Sequence, residues 1–423
     1  MTVTDNCDAP STCDVLVVGA GLAGLMCART LQRAGLHVQV WEAADHVGGR
    51  IRTDEVDGFL MDRGFQVLNP AYPAVQQHVD VGALGLQTFG SGAGVRRDDR
   101  FAVLADPRRE PGHLADVLRS GYLDPAQLAA LARWAGPALG PPGRLKHGPD
   151  TSWGAGLDAA GLSGPLRAVV ESFVAGVVLE DEGSTSQDFV RLQLRMFALG
   201  APGLPREGMQ ALPEQLAAGL VHPVRTRVRV HAIEQGRSGA TVRADGLTGT
   251  ARLVVVATGA RVAQDLVGVP APAMKGVVTD WFTMPVAPDA PPMLVVEGRG
   301  ATSGPVKNAA VVTAAAPSYA PPGRHLVQAS ALIRDGAGGI PSVEQVRRHT
   351  GELYGVDTGD WELVHRHEVP EALPAQAPPL RTRRPMQAGD SVVVCGDHMD
   401  TASIQGALVS GHRAAAGHLH RTC

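Results

Sequence analysis

The alternation of apolar and polar positions near the N-terminus predicts a strand, a helix and a second strand in close succession. Residues 14–18 (DVLVV) form a short, almost fully apolar run, as expected of a buried parallel strand. After a glycine turn, the segment LMCARTLQRAG has the apolar spacing of a helix and stops at Gly35, a residue type typical of helix C-termini. A second apolar run, residues 37–41 (HVQVW), ends at Glu42. This order is typical of a β-α-β unit.

Two later parts of the chain have the same character. Short apolar runs predict strands at residues 224–230, 240–244, 252–257 and 391–395. The last run (SVVVC) is followed by Gly396-Asp397, which predicts a turn, and by a helical pattern over residues 404–418. These parts therefore predict one doubly wound α/β domain assembled from separated stretches.

The intervening stretches mix two patterns. Helix-like segments lie at 125–134 and 165–178, and strand-like segments lie at 276–284 and 325–332. We therefore expect a cofactor domain formed by residues 11–74, 205–261 and 386–423. An α+β substrate domain, residues 75–204 and 262–385, interrupts it twice. No internal repeat is evident in the sequence.

Composition narrows the class of protein. The chain has 423 residues and a formal charge of −4, which gives no electrostatic basis for binding nucleic acid. No apolar run approaches 18 residues, so no membrane span is expected. The five cysteines have no metal-type spacing, and the polar N-terminus lacks a signal-like apolar core. We expect a reduced, cytoplasmic setting and no metal site, and the oligomeric state is left open.

The glycine turn after the first strand matches a dinucleotide-binding pattern, G-x-G-x-x-G. Gly19 permits the tight turn, Gly21 lets the backbone approach a pyrophosphate, and Gly24 lets the helix pack closely on the strand. Leu22 and Ala23 begin the helix, whose free N–H groups and positive dipole end suit phosphate. A plain structural turn is the alternative, but the flanking strand and helix are the context that the motif requires.

The acid at the end of the second strand suits an adenosine ribose. Glu42 would accept hydrogen bonds from the ribose hydroxyls and would repel a 2′-phosphate, so NADP is disfavoured while NAD and FAD both remain. The following Gly48-Gly49-Arg50 favours FAD, because paired glycines permit a second close backbone approach and Arg50 can contact phosphate or flavin edge atoms. Taken alone, this triplet is as often a surface turn.

Together these motifs resemble the flavin amine oxidase superfamily, which includes monoamine oxidases, protoporphyrinogen oxidases and plant-type carotenoid desaturases. The resemblance rests on GAGLAGL, Glu42, GGR and Asp62-Arg63-Gly64 at the N-terminal end. It also rests on PREGMQALPEQLAA in the middle and on ASIQGALVSG near the C-terminus. It implies a glutathione-reductase-like Rossmann domain that binds FAD, and non-covalent binding, because no cysteine lies where monoamine oxidases tether the flavin.

The resemblance also implies roles for residues near the C-terminus. Asp397, after Gly396, would hold the pyrophosphate–ribityl region, and Val228 would meet the adenine through its backbone. The residues whose backbone would face the pyrimidine end of the flavin are Ser403, Ile404 and Gln405. There a helix start would stabilise the anionic reduced flavin. Simpler alternatives are a turn residue for Asp397 and a helix cap for Ser403.

Lys275 is the one candidate catalytic residue. In related amine oxidases a lysine on a substrate-domain strand reaches the flavin N5 through a water molecule, and Lys275 opens the corresponding strand-like segment. The alternative is a solvent-exposed lysine at a strand end. His398 and His412 flank the flavin motif and are expected to be surface or supporting residues.

The sequence departs from the amine oxidases at the position of Ser403, where one of two aromatic rings that flank the substrate nitrogen belongs. We therefore expect dehydrogenation of a small apolar or isoprenoid-like substrate by hydride transfer to flavin N5. The alternatives are amine oxidation with oxygen, a redox-neutral flavin-assisted isomerisation, and a non-catalytic lipid-binding protein. Residues 173–179 and 191–199 are either core, which base rates favour, or a substrate pocket. Amphipathic stretches in 101–134 suit either an ordinary surface or peripheral membrane contact.

Overall fold

The computed structural model describes residues 11–98, 100–300, 303–334 and 339–422. The strands are β1 (Ser11–Val18), β2 (Val38–Trp41), β3 (Thr53–Val56), β4 (Phe59–Asp62), β5 (Gln87–Thr88), β6 (Gly92–Arg96), β7 (Phe101–Ala105), β8 (Gly203–Leu204), β9 (Val230–Gly236), β10 (Gly239–Ala244), β11 (Leu247–Val256), β12 (Met274–Met284), β13 (Leu294–Glu297), β14 (Val306–Val311), β15 (His325–Ile333), β16 (Glu362–Pro374) and β17 (Val392–Val394).

The α-helices are α1 (Leu22–Arg33), α2 (Pro73–His78), α3 (Leu114–Arg119), α4 (Pro125–Ala135), α5 (Pro142–His147), α6 (Trp153–Ala160), α7 (Gly164–Val178), α8 (Gln187–Leu199), α9 (Ala211–Ala218), α10 (Ala260–Val267), α11 (Val312–Ala315), α12 (Val343–Tyr354) and α13 (Ile404–Thr422). Short 3₁₀ turns lie at Pro111–His113, Gly136–Leu139, Pro317–Tyr319 and Asp397–Met399.

The first sheet gathers strands from three separated parts of the chain. Its order is β2-β1-β11-β10-β9, and β17 pairs with the second half of β11. β1 is parallel to both β2 and β11, whereas β10 is antiparallel to its two neighbours, β11 and β9. Side chains on both faces of β1 are buried, with Val15 and Val17 in one cluster and Leu16 and Val18 in another. Covered faces of this kind explain the nearly continuous apolar run in the sequence.

The second sheet is larger and mostly antiparallel. Its seven strands have the order β16-β12-β15-β14-β13-β6-β7, and only the β13–β6 pair is parallel among the described residues. Helix α7 packs against β13 and β14. The mixed α/β architecture therefore agrees with the expected fold class, while the two-domain division at the expected boundaries stays a prediction.

One predicted strand is wrong. Residues 224–229 lie outside any strand, and only Val230 begins one. The backbone of this loop instead bonds to the end of β2 and to the residues after it: Arg225 N–H donates to the carbonyl of Val40, and Arg227 N–H donates to the carbonyl of Ala44. Arg227 has a φ of +59°. A non-glycine residue in the left-handed region interrupts a strand. The spacing of apolar residues therefore predicted a strand where the backbone does not form one.

Candidate active site

A large cavity of about 1210 Å³ is lined by residues of both sheets. Gly19, Glu42 and Val228 line it beside the first sheet, and Gly396 and Asp397 line it beside β17. Further lining residues come from helices α4, α7 and α8 and from strands β13 and β14. We call this last part the inner chamber. The cavity therefore joins the predicted cofactor-binding motifs to a second space within the other sheet.

The glycine turn has the geometry that the motif predicted. Gly19 has a φ of +104°, a backbone conformation that favours glycine. A Cβ on Gly24 would lie 2.0 Å from the carbonyl oxygen of Gly19, so only glycine lets α1 pack this closely. Gly21 caps α1 without a side-chain hydrogen bond, and a Cβ there would meet nothing within 4 Å. Gly21, Leu22 and Ala23 line the cavity, whereas Gly24 serves the packing.

Glu42 lies at the end of β2, where its carboxylate lines the cavity. One oxygen accepts a hydrogen bond from the backbone N–H of Ala20 at 2.7 Å, and the other accepts from Ala44 at 2.8 Å. The carbonyl of Glu42 accepts from the backbone N–H of Val228 at 2.8 Å. These bonds place the acid and Val228 side by side, and each carboxylate oxygen keeps a lone pair for a ribose hydroxyl.

The second glycine pair faces the first glycine turn. The N–H of Gly48 donates to the carbonyl of Ala20 at 2.8 Å, and a Cβ on Gly49 would lie 3.4 Å from Cα of Gly21. Both glycines line the cavity and have positive φ. The backbone is thus open on both sides of the helix start, which fits the close approach of a pyrophosphate.

Arg50 connects this turn to the C-terminal segment. Its guanidinium donates to Asp397 Oδ1 at 2.5 Å and to the carbonyl of Ala372 at 2.8 Å. Asp397 is buried, and its neighbour His398 is buried with an Nε2 atom that has no hydrogen-bond partner among the described residues. Burial lowers the pKa of His398, which favours the neutral form of this imidazole. His398 supports the site from behind rather than lining it, whereas His412 is exposed, lies outside the cavity lining and packs near His78.

The start of α13 lies beside the cavity. Ser403 caps the helix by accepting the N–H of Gly406 at 3.0 Å, and Ser403 and Ile404 line the cavity. Ser403 is therefore both a helix cap and a residue of the cavity lining, so the two interpretations of this serine hold together. The side chain of Gln405 turns away, because its Oε1 accepts the backbone N–H of Ala74 at 2.9 Å.

The inner chamber is strongly apolar. Residues that line it include Leu131, Val170, Phe173, Val177, Leu194, Phe197, Leu294 and Val296. The expectation that residues 173–179 and 191–199 are simply core is therefore wrong in part, since one face of α7 and α8 lines the cavity. Sequence periodicity cannot separate these cases, because a cavity wall and a packed core need the same apolar stripe.

The carboxylates among the described lining residues all lie outside the inner chamber and have partners. They are Glu42, Asp106, Glu371 and Asp397. Asp106 makes a two-pronged contact with Arg108, and Glu371 pairs with Arg261. The chamber itself therefore offers no carboxylate to an ammonium group.

Aromatic rings reach the cavity from segments that sequence reasoning did not consider. Phe65, with a φ of +47°, and Phe89 line it with their rings edge to face at 6.0 Å. Tyr72 also lines it, two residues before the Ala74 N–H that is bonded to Gln405 on α13. Residues 395–412 contain no Phe, Tyr or Trp, as expected, but the segment that carries Tyr72 contacts the start of α13 through that hydrogen bond.

Lys275 is not brought to the cavity. Its Nζ donates to Thr185 Oγ1 at 3.0 Å and lies 3.8 Å from Glu180 Oε1. Met274 and Val277 on the same strand line the cavity instead, across an irregularity in the β12–β16 pairing. Burial lowers the pKa of Lys275, although Glu180 opposes this effect. The alternative of a solvent-exposed lysine is wrong, since the side chain is 16% exposed.

One group of side chains has the spacing of a metal site: Asp54, His365 and His367. His367 Nδ1 accepts from the indole N–H of Trp281 at 3.2 Å, and its Nε2 faces Asp54 at 2.9 Å. Asp54 also binds Arg63 at 2.7 Å. Both imidazole nitrogens of His367 therefore have hydrogen-bond partners, and the carboxylate of Asp54 is already paired with the guanidinium of Arg63. The arrangement fits a structural hydrogen-bond network better than a metal site.

The comparisons with known proteins agree on one family. Residues 22–417 match the family described as flavin containing amine oxidoreductase. A putative flavin-containing monoamine oxidase AofH of Mycobacterium tuberculosis is 29% identical over 269 residues, covering 59% of this chain and 57% of that protein. A putrescine oxidase of Kocuria rosea is 50% identical over 76 residues, covering 18% of this chain and 16% of the relative.

A solved structure shows that the likeness extends over the whole fold. The putative protoporphyrinogen oxidase from Exiguobacterium sp. 255-15 superposes with a TM-score of 0.73 at 16% identity, covering 98% of this chain and 99% of that one. The matched stretches thus span 57% or less of those two curated relatives, while the fold match is nearly complete. The chain belongs to the flavin-containing amine oxidoreductase family, whose members are FAD-dependent oxidoreductases.

Proposed function

We propose that this protein dehydrogenates a bulky apolar substrate, isoprenoid-like in character, by hydride transfer to FAD. The observation that carries the proposal is the inner chamber, whose lining is apolar and lacks any carboxylate among the described residues. A cationic amine would lose its water there without gaining an ion pair, which is strongly unfavourable. An apolar molecule would gain free energy from the same burial.

The cofactor would occupy the part of the cavity between the two glycine turns and the start of α13. We propose that the backbone of Gly21–Ala23 and Gly48-Gly49 holds the pyrophosphate and that Glu42 binds the adenosine ribose. Asp397, positioned by Arg50, would bind the ribityl side. In this arrangement the first sheet would belong to a glutathione-reductase-like Rossmann domain, and that domain would have the boundaries expected from the sequence. The cysteines Cys13, Cys27 and Cys395 are buried and do not line the cavity, which supports non-covalent binding.

The residues of this chain have a limited task in the reaction. Bound FAD supplies the hydride acceptor, so the protein needs mainly to orient a C–H bond and exclude water. The apolar faces of α7 and α8 exclude water from the inner chamber. Ser403 and Ile404 line the cavity at the start of α13, which Ser403 caps, so the positive end of the helix dipole would act on a flavin bound there.

Amine oxidation is the second candidate. It is favoured by the family and by Tyr72, an aromatic residue that lines the cavity in a segment hydrogen-bonded to α13 through Ala74. Against it stands the absence of a carboxylate among the described residues of the inner chamber. A redox-neutral isomerisation would use the same geometry. A non-catalytic lipid-binding role is disfavoured because the elements suited to a dinucleotide are intact.

Peripheral membrane contact stays a proposal. Leu114, Leu118 and Leu139 are 47%, 64% and 67% exposed, and Leu139 also lines the cavity. An exposed leucine in the cavity lining suits the uptake of an apolar substrate from a lipid surface. No helix in the described residues is both long and apolar enough to cross a bilayer.

The proposal is tested with FAD-loaded protein under anaerobic conditions. We expect polyprenyl lipids to bleach the visible absorbance of the flavin, and we expect an amine panel to leave it unchanged. In air, release of peroxide with an amine, without bleaching by any apolar compound, would support the second candidate instead. Conversion of an apolar compound to an isomer without net flavin reduction would indicate the isomerase.

A further inference from the structure

Asn308 is a polar residue in the apolar wall of the inner chamber. It lies on β14 and is 9% exposed. Its Oδ1 accepts a hydrogen bond from Gln328 Nε2 at 3.1 Å, whereas its Nδ2 has no hydrogen-bond partner among the described residues. Nδ2 keeps some exposed surface toward the cavity that Asn308 lines, so a ligand or water there can accept hydrogen bonds from its N–H groups.

A chain of buried side chains fixes this amide from behind. Gln328 Oε1 accepts from the hydroxyl of Ser330 at 3.0 Å, and Ser330 Oγ lies 2.8 Å from Thr279 Oγ1. These residues lie on the neighbouring strands β15 and β12 and are at most 5% exposed. Since each group is engaged by the next, the chain holds the carbonyl oxygen of Asn308 inward and turns its amino group toward the chamber.

Helix α7 leaves room for that amino group at one position. A Cβ on Gly176 would lie 2.4 Å from Asn308 Nδ2, so a larger residue would force the amide to move. Glycine is unfavourable in the interior of a helix, and Gly176 lies within Gly164–Val178. Its presence there is explained by the close approach of Asn308.

A second side-chain amide in the cavity resembles that of Asn308, because its oxygen is hydrogen-bonded and its nitrogen is not. Gln193 on α8 accepts the hydroxyl of Tyr72 through its Oε1 at 2.8 Å, and both residues line the cavity. Its Nε2 has no hydrogen-bond partner within the described part of the chain. Both amides thus have their oxygen occupied by the protein and their N–H groups available.

We propose that Asn308 is a substrate-binding residue that donates a hydrogen bond to an oxygen atom on an otherwise apolar substrate. The substrate class is therefore an apolar molecule with a carbonyl, ether or hydroxyl oxygen, bound by the Asn308 amide and by the apolar faces of α7 and α8. Gln193 offers a second donor of the same kind. The inference rests on the proposed function, because it concerns the substrate that the inner chamber binds.

Equilibrium binding tests this without any turnover. FAD-loaded protein is saturated with the fluorescent probe N-phenylnaphthylamine, which is then displaced by methyl octyl ketone, decane or decylamine. The quantity compared is the ratio of ketone affinity to decane affinity, measured in wild type and in each variant, so that differences in aqueous solubility cancel. The ratio of decylamine to decane is the parallel arm.

Two variants remove the donor in different ways. Asn308→Leu deletes it, and Gly176→Ala displaces it while improving the helix propensity of α7. We expect each to lower the ketone-to-decane ratio about threefold to tenfold, the range for one lost hydrogen bond. The decylamine ratio should not fall. Gly417→Ala is the matched control, because a Cβ on this helical glycine meets nothing within 4 Å.

The outcomes separate the two proposals. An unchanged ketone ratio in Gly176→Ala would overturn the inference, even if Asn308→Leu fails to fold and even if apolar compounds still bleach the flavin. A fall in the decylamine ratio equal to the fall in the ketone ratio would also overturn it. Peroxide release with amines would contradict the proposed function. It would not change the ketone-to-decane ratio, which tests the role of Asn308 separately.

Discussion

Nη2 of Arg50 lies 2.5 Å from Oδ1 of Asp397, although 347 positions separate the two residues in the chain. Arg50 follows the second glycine turn, and Asp397 follows β17 in the C-terminal segment. The contact thus ties the two ends of the predicted cofactor site together. Asp397 is buried, whereas Arg50 is about a third exposed. The guanidinium therefore compensates the charge of the buried carboxylate while it keeps part of its own hydration.

Loss of either acid in the cofactor site should weaken FAD retention. Glu42→Ala removes the acceptor for the ribose hydroxyls, and Asp397→Ala leaves Arg50 without its partner. We expect affinity for FAD to fall about tenfold or more in each, as for a lost hydrogen bond to a charged group. The measurement is flavin absorbance per protein after gel filtration. Glu234→Ala, at an exposed pair with Arg243, is the control. Unchanged flavin content in both variants would refute the site assignment.

Asp62 should give the protein an unusual pH dependence. Burial raises its pKa to about 6, against hydrogen bonds from Thr53, Met209 and Tyr319 that lower it. An acid whose folded pKa is raised binds its proton more tightly in the folded state. The free energy of unfolding should therefore decrease as pH rises from about 4 to about 6, by up to about 3 kcal/mol for this one group.

Urea denaturation at several pH values checks this. Asp62→Asn keeps the size of the side chain and removes its titration, so the decrease between about pH 4 and 6 should disappear relative to wild type. Asp265→Asn, at an exposed position on α10, is the control and should follow wild type. Parallel curves for wild type and Asp62→Asn would show that Asp62 does not titrate in this window.

The local motifs were predictable because each depends on residues close in sequence. Gly19, Gly21 and Gly24 sit within one turn, and their roles follow from backbone geometry that only glycine permits. Glu42 was predictable because it follows the second of two parallel strands, whose carboxyl ends lie at the same edge of the sheet. The family resemblance added Asp397, which no local pattern would have singled out.

The chemistry of the inner chamber was not predictable in the same way. Asn308, Gln328 and Ser330 meet only through the register of neighbouring strands, which sequence spacing does not fix. The segment that carries Tyr72 reaches the start of α13 through a tertiary contact, the hydrogen bond from the Ala74 N–H to Gln405 Oε1. The place of Lys275 outside the cavity lining was not predictable for a similar reason, since the β12–β16 pairing has an irregularity between Lys275 and Val277.

The cluster of Asp54, His365 and His367 should not retain a metal ion. Burial lowers the pKa of His367 to about 4, so its imidazole is neutral, but Trp281 and Asp54 occupy both nitrogens. Arg63 lowers the pKa of Asp54 and competes with a cation for its oxygens. After incubation with zinc and gel filtration, we expect far less than one zinc per chain, and EDTA should leave the melting temperature unchanged. Stoichiometric zinc that His367→Ala abolishes would contradict this.

Lys275 should matter for stability and not for flavin reduction. Lys275→Met leaves Glu180 buried without its nearest cation, which should lower the free energy of unfolding by about 1–3 kcal/mol. Reduction of the flavin by a substrate found in the bleaching assay should change by less than about threefold, because the side chain does not line the cavity. Lys307→Met is the matched control, since Lys307 is also buried, pairs with Asp181 at 2.9 Å and lies outside the cavity lining.

The pH dependence of Lys275→Met gives a second measure of the same pair. The pKa of Glu180 is held at about 2, against its burial, by the N–H and hydroxyl of Thr185, by Lys275 and by Trp153. An acid whose folded pKa is lowered stabilises the fold above its unfolded pKa, and this contribution is lost as pH falls toward about 2. With the lysine gone, that loss should begin at a higher pH, while Lys275→Arg should restore the wild-type curve. A large drop in flavin reduction that Lys307→Met does not share would instead return Lys275 to the catalytic role expected from the sequence.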